Sequence, residues 1–365
     1  MIKIDKTLKK IKGYIPGKPI EEVKREFRLK DVYKLASNEI PFTPFYIKEA
    51  VKRELKNINR YPDGGCFYLR KKLARRLKVK ENQLVFGNGS DEIVVLALRS
   101  FIREKNDEVI VGFPTFLIYE LQAKIQNARI LRIPFKNYRY DLKAIAEAIT
   151  KNTKIIFIAN PDNPCGTYLS HKEIEEFLEK VPSEVIVFFD EAYYEFVEKR
   201  DFPKSLSFLK KRKNLIITRT FSKAYGLAGL RIGYAITSSS IADILNKVRE
   251  PFNVNRIAQV AALAALENEE FLKKVRQYMK KEKEYLYQEL KKLNLEFIES
   301  VTNFILVNFK KDVNKLNQYL LKKGIIIRPL NSWGLKNFFR VTIGLHKENV
   351  KFIKELKNYL RKESQ

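Results

Sequence analysis

The strongest constraint on the fold is a series of seven short apolar runs: Gln83–Phe86, Glu108–Phe113, Arg129–Ile133, Lys154–Ala159, Val185–Phe189, Asn214–Thr218 and Ile232–Ile236. A strand with one wet face alternates apolar and polar residues, whereas these runs are almost uninterrupted, so each is expected to be buried on both faces. That fits a mainly parallel sheet covered by helices on both sides. Segments of helical spacing lie between the runs, among them Asp91–Arg103, Leu142–Ile149 and Lys172–Glu179. The last opens with Ser170-His-Lys-Glu173, a capping box. The alternation predicts an α/β domain with a seven-stranded sheet over residues 39–248. After Pro251 the texture changes to a long helical region, Ile257–Leu293. The runs Phe304–Asn308, Gly324–Arg328 and Phe339–Ile343 follow, with a helix near Val313–Lys323. This predicts a smaller α+β domain over 249–365. Residues 1–38, with Gly13-Tyr-Ile-Pro-Gly-Lys-Pro19, are expected to form a turn-rich arm. A chain of 365 residues is long enough for such a two-domain division.

The net charge of +28 raises the question of a phosphate-rich partner. The basic residues are spread over nearly every helical segment and mixed with Glu, as in Lys280-Lys-Glu-Lys-Glu284, which is the pattern of solvated faces. No recognition motif accompanies them, and the first 38 residues are too few for a helix-turn-helix module with its linker, so no nucleic-acid partner is expected. Cys66 and Cys165 suit neither a disulfide framework nor a zinc site, so no metal is expected and a reducing compartment fits. The start of the chain lacks an apolar signal core and no stretch has membrane-spanning length, which predicts a cytoplasmic protein without a membrane partner. Abundant Lys, Glu and Ile with few Met, Cys and His suit heat adaptation and a biased genome equally.

Four segments carry chemistry. Thr220-Phe-Ser222-Lys223-Ala-Tyr-Gly-Leu-Ala-Gly-Leu-Arg231-Ile-Gly233 sets a lone lysine in a small-residue loop with an arginine eight positions on. It reads as an anchor for pyridoxal phosphate, because the aldehyde needs an unhindered amine and the phosphate needs a hydroxyl and a guanidinium. The plain alternative is a surface lysine. Gly87-Asn-Gly-Ser90-Asp91-Glu92 lies between a buried run and an apolar helix, so the free N–H groups of the helix start form an anion site; an ordinary capped turn fits the same residues. Asn160-Pro-Asp-Asn163-Pro-Cys-Gly166 follows a predicted strand, where open α/β sheets collect ligands, and Asn163 would enter the crevice unless the block is merely a proline-rich turn. In Phe188-Phe-Asp190-Glu-Ala-Tyr193, Asp190 suits a protonated pyridine nitrogen and Tyr193 its ring hydroxyl. A helix cap is the competing role for Asp190.

With these segments in this order, the chain resembles the fold-type I pyridoxal-phosphate aminotransferases from about Ser37 to Leu345. Further likeness lies in Ser37-Asn-Glu, Arg60-Tyr61-Pro-Asp-Gly-Gly65, Phe113-Pro-Thr-Phe116, Ala228-Gly-Leu-Arg231 and Arg340-Val-Thr-Ile-Gly344. Tyr61-Pro-Asp-Gly and the Gly-Tyr14 arm point to the branch acting on histidinol phosphate. The resemblance implies that Lys223 carries the cofactor and shuttles the substrate proton, that Asp190 holds the pyridinium, and that Asn163 and Tyr193 bind the ring oxygen. It further implies that Ser90, Asp91, Ser222 and Arg231 hold the phosphate and that Phe116 stacks on the ring. Tyr61 would reach the phosphate of a neighbouring subunit, making a homodimer with shared active sites. Arg340, Arg328 and Tyr14 would bind substrate anions. Planar guanidiniums bind phosphate and carboxylate alike, so one pocket could serve both substrates. The implied reaction is transamination of histidinol phosphate with 2-oxoglutarate in histidine biosynthesis; an aromatic amino acid aminotransferase or a phospho-amino-acid decarboxylase of the same fold is the alternative. Ile40, Thr43 and Cys165 depart from the family's usual Asn, Gly and Thr, on the substrate side of the assignment.

Overall fold

A computed structural model describes residues 6–11 and 13–363. Its strands are β1 (Tyr33–Lys34), β2 (Leu84–Gly87), β3 (Glu108–Phe113), β4 (Arg129–Pro134), β5 (Thr153–Ala159), β6 (Ile186–Asp190), β7 (Leu215–Thr220), β8 (Gly233–Thr237), β9 (Glu296–Ile298), β10 (Phe304–Asn308), β11 (Ile325–Ile326), β12 (Arg328–Leu330) and β13 (Leu335–Thr342). The seven predicted runs become β2 to β8, in one sheet of order β2-β8-β7-β6-β5-β3-β4. Only β8 runs antiparallel to its neighbours.

The uninterrupted apolarity of these strands has the expected cause. Ile156, Ile158, Val187, Phe189 and Ile217 point into one core, whereas Ile155, Phe157, Ile186, Phe188 and Ile216 point into the other. Successive side chains of a strand face opposite ways, so both parities must be apolar when both faces are covered. Burying a residue such as Phe157 or Phe188 stabilises the fold by about 1.5–3 kcal/mol. The helices Ser90–Phe101 and Ser239–Lys247 cover one face. Phe67–Leu77 and His171–Lys180 cover the other, and Ser170 and Glu173 form the predicted capping box.

The second face continues into a four-stranded antiparallel sheet of order β12-β13-β10-β9, because Phe304, Ile305, Val307, Phe339 and Val341 belong to the same core. The region expected as one long helix is two, Arg256–Glu267 and Glu269–Lys292. The break is local: the Asn268 side chain caps the second helix by accepting from the Phe271 N–H at 3.0 Å. The run Gly324–Arg328 is also divided, β11 pairing with β1 and β12 with β13.

The N-terminal expectation needs correction. Residues 20–36 are not a loose arm. Ile20–Phe27 is a helix whose Val23 packs with Val32, Ala36, Leu321 and Ile326, and β1 pairs with β11 in parallel. The partners lie almost 300 residues away in sequence, so no local pattern reveals them.

Candidate active site

The strand order places the site. β3 and β5 are parallel neighbours, but the order in which strands are added to the sheet reverses between them: β4 lies beyond one and β6 beyond the other. The loops leaving their C-terminal ends diverge there, opening a crevice. Above it lies a cavity of about 290 Å³, lined by every predicted site residue except Tyr61. A groove of about 550 Å³ elsewhere, between Arg139, Glu173, Lys280 and Lys283, is larger. Its Arg139 and Glu173 neutralise one another at 2.8 Å, and its Lys283 amine is engaged by the Ser300 and Thr302 carbonyls at 2.8 and 2.9 Å.

Lys223 follows β7. Its Nζ donates to the Ser37 carbonyl at 3.2 Å. Burial, reinforced by the Arg340 charge, lowers its pKa to about 8. About a tenth of the amine is thus free at pH 7, far more than for an ordinary lysine, as a nucleophile or proton carrier requires.

Asp190 ends β6 and is 6% exposed. Its carboxylate accepts from the Tyr119 hydroxyl at 2.6 Å and from the Ala192 N–H at 3.0 Å. Burial raises its pKa to about 6 in spite of those bonds. Among the described residues no cation lies within ion-pair distance of it. A protonated ring nitrogen would supply the missing charge. The bond to the Ala192 N–H only closes a local turn: the short helix Tyr194–Phe196 starts from Tyr193 without a side-chain cap, so Asp190 caps no helix.

Tyr193 presents its hydroxyl through an unexpected residue. Asn38 is buried, with φ 56°. Its own N–H donates to Thr342 Oγ1 at 2.9 Å, so the Thr342 hydroxyl is left to donate to Asn38 Oδ1, 3.2 Å away. That fixes the amide: Nδ2 faces Tyr193 and donates to its hydroxyl oxygen at 2.7 Å. The phenol proton therefore remains available to a ligand.

At the opposite end, the helix Ser90–Phe101 begins at Gly89 with its N–H groups turned toward the cavity. Arg231 crosses above them, donating to Ser222 Oγ at 3.3 Å and to Asp91 Oδ2 at 3.3 Å. The approach is close enough to require glycine. A Cβ on Gly89, at φ +81°, would lie 2.4 Å from Arg231 Nη2. A hydroxyl, a guanidinium and free N–H groups thus form a cup for a phosphate.

The other charges come from the C-terminal sheet, where Arg328 of β12 stands directly opposite Arg340 of β13. They are 7% and 5% exposed. Arg340 Nη1 donates to Asn163 Oδ1, and its Nη2 donates to the Ala36 carbonyl at 2.8 Å. Burial lowers its pKa to about 10, which leaves it a cation at neutral pH. Arg328 Nη2 donates to the Ile15 carbonyl at 2.6 Å. Both Nε atoms are buried without partners, and among the described residues neither arginine has a carboxylate within ion-pair distance. Like charges facing each other across a ladder destabilise it unless something anionic joins them.

Tyr61 stands apart. It is 79% exposed and stacks on Phe252, with centroids 4.8 Å apart, outside the cavity of its own chain. Three contributors have no role assigned from the sequence, although Ser37-Asn-Glu is among the matched motifs. Tyr119 looks like one more apolar position of the helix Leu117–Ile125, Ser37 acts through its carbonyl, and the role of Asn38 depends on residues 155 and 304 positions away.

Comparison with known proteins agrees with this geometry. The chain is 43% identical over 363 residues to histidinol-phosphate aminotransferase 2 of Carboxydothermus hydrogenoformans, covering 98% of this chain and 99% of that protein. It is 44% identical over 355 residues to histidinol-phosphate aminotransferase of Caldicellulosiruptor saccharolyticus, covering 97% and 99%. The fold superposes with a TM-score of 0.88 on the crystal structure of histidinol-phosphate aminotransferase from Sinorhizobium meliloti in complex with pyridoxal-5'-phosphate, at 24% identity and with 99% and 98% of the two chains covered. The family described as aminotransferase class I and II matches residues 30–355, nearly the whole of both sheets and of the cavity, and the chain belongs to that family.

Proposed function

We propose that the protein transfers the amino group of histidinol phosphate to 2-oxoglutarate with pyridoxal phosphate as cofactor, giving imidazole-acetol phosphate and glutamate. One observation carries this reading: a single cavity holds a lysine amine of lowered pKa, a buried carboxylate without a cation and two facing guanidiniums without an anion. The cup of N–H groups, Ser222 and Arg231 fits the cofactor's phosphate, and Asp190 fits its ring nitrogen.

When bound, the cofactor supplies an electron sink for breaking a bond at the substrate's amine-bearing carbon. The chain's own groups do the rest. Asp190 keeps a proton on the ring nitrogen, and Asn163 and the Tyr193 hydroxyl hold the ring oxygen. Phe116 covers a ring face. Lys223 Nζ, as a free amine, accepts a proton at the reacting carbon and returns it one position along. Arg328 and Arg340, with Tyr14, receive the phosphate of one substrate and a carboxylate of the other in turn, since fork-shaped donors suit both anions.

The relatives' names support the choice of substrate, at 43% and 44% identity. The outward-facing rings of Tyr61, Phe67, Tyr68 and Phe252 support a homodimer in which Tyr61 serves the partner's phosphate site. Cys66 and Cys165, both free and buried, suit a cytoplasmic setting, and among the described residues no helix is long and apolar enough to cross a membrane. A division at residues 38 and 248 is supported by the seven-stranded and four-stranded sheets lying on either side of residue 248, with residues 20–36 packed against Leu321 and Ile326.

The test is an amino-donor screen with 2-oxoglutarate as acceptor. Histidinol phosphate should give the highest kcat/KM among itself, phenylalanine, tyrosine and threonine phosphate. A higher value for an aromatic amino acid, or carbon dioxide release from threonine phosphate, would overturn the assignment.

A further inference from the structure

Arg328 is held in the cavity by very little of its own. Its Nη2 meets the Ile15 carbonyl at 2.6 Å and its Nε meets nothing, so two rings determine where the guanidinium lies. The Tyr14 ring is 5.6 Å away and half-exposed. The Trp333 ring is 5.2 Å away and almost wholly buried. Trp333 occupies the connection Asn331–Trp333 that joins β12 to β13, the strands of the two arginines. It does not line the cavity itself.

What fixes Trp333 in turn is the loop after β3 together with a small apolar cluster shared with its own sheet. Its Nε1–H donates to the Thr115 carbonyl at 2.6 Å, and its ring packs with Cys165, Leu306 and Leu330. Thr115 Oγ1 donates to Asp162 Oδ1 at 2.8 Å, while Asp162 Oδ2 accepts from the Cys165 N–H at 3.1 Å. The next residue is Asn163, which accepts from Arg340. One bonded path therefore ties the wall behind Arg328 to the loop that holds Arg340.

We propose that Trp333 is the positioning residue of the anion pocket, its ring backing the Arg328 guanidinium and its indole N–H setting the distance of that guanidinium from the Asn163–Arg340 loop. This rests on the reading of Arg328 and Arg340 as substrate-anion binders. The interaction is an aromatic face against a cation in a dry site, where such contacts are strongest. Trp333 touches no substrate, so its loss acts through Arg328 and falls on binding rather than on the chemical step.

The experiment uses the cofactor-loaded enzyme and its variants Trp333→Leu, Trp333→Phe, Arg328→Ala and the double Trp333→Leu/Arg328→Ala. Histidinol phosphate and 2-oxoglutarate are the substrates and inorganic phosphate is a competing anion. Trp333→Leu should raise both KM values and the phosphate inhibition constant about tenfold with kcat changed less than about threefold. Trp333→Phe, which keeps a ring and loses the N–H, should fall between it and the wild type. The double variant should be no worse than Arg328→Ala, because the tryptophan acts only through that arginine. A kcat loss at constant KM, or additive effects in the double variant, would overturn the proposal. If Arg328→Ala weakens anion binding and Trp333→Leu does not, Trp333 has no positioning role; if Arg328→Ala changes neither, the anion-pocket reading itself is wrong. A measurement on the unaltered enzyme guards against misfolded variants. Trp333 is the one tryptophan of the chain, so its emission should shift during a phosphate titration with the midpoint of inhibition. Emission unchanged at saturating phosphate would overturn the proposal.

Discussion

Lys223 and Asp190, in the roles proposed for them, each weaken the cofactor-free protein, and the two signs are opposite in pH. The Lys223 pKa falls to about 8 on folding, so the cost of burying its charge is full below pH 8 and disappears above the ordinary lysine value of 10.5. Lys223→Met should therefore stabilise the cofactor-free protein at pH 7, by up to about 3 kcal/mol, while abolishing turnover. Denaturant unfolding should show the gain shrinking as pH rises toward 10.5; equal stabilities at pH 7 would contradict it. The Asp190 pKa rises to about 6 from 3.8, so its cost is absent below the lower value and full above the upper. Asp190→Asn should stabilise the cofactor-free protein above pH 6 and not at pH 3.8, and should slow transamination by about a hundredfold or more, since an amide cannot keep the ring nitrogen protonated. Turnover near that of the wild type would show that another carboxylate holds that proton.

At the scale of elements, the turn from β2 into the helix Ser90–Phe101 makes the phosphate cup, and two glycines near it separate cause from coincidence. Gly89→Ala drives a Cβ to 2.4 Å from Arg231 at a φ of +81°, so cofactor affinity should fall by about tenfold to a hundredfold. Gly229→Ala, whose Cβ would meet nothing within 4 Å, should leave affinity unchanged. Spectrophotometric titration of cofactor into both variants distinguishes them, and equal dissociation constants would contradict the role given to the cup. The strands and motifs of this part of the molecule are legible in the sequence because each depends on neighbours in the chain. Burial on both faces leaves β5, β6 and β7 with continuous apolar runs, and Asp190, Asn163, Ser90 and Lys223 follow strand ends directly. The rest depends on remote partners. The helix Ile20–Phe27 is only eight residues long and finds its apolar contacts at Leu321 and Ile326. Asn38 gains its role from Tyr193 and Thr342, and the facing of Arg328 and Arg340 is a matter of register that no single stretch encodes.

For the whole molecule, the arrangement joins two sheets around one cavity: the larger supplies the groups that suit the cofactor, and the smaller supplies the arginines that suit its substrates. The proposed homodimer, in which the outward-facing Tyr61 serves the partner's phosphate site, would extend this to two copies. Mixing Lys223→Ala with Tyr61→Ala subunits should restore part of the activity that each variant lacks, because one site of a mixed dimer then contains both native residues. No restoration in verified mixed dimers would place Tyr61 in the site of its own chain. The central claim is that Lys223, among the many basic residues of this chain, carries the cofactor. Borohydride reduction of the cofactor-loaded enzyme, followed by digestion and mass spectrometry of the peptides, tests it most directly. One cofactor per chain should be fixed on the Lys223 side chain with the visible absorbance bleached, whereas label on a different lysine, or none with full activity retained, would contradict the account.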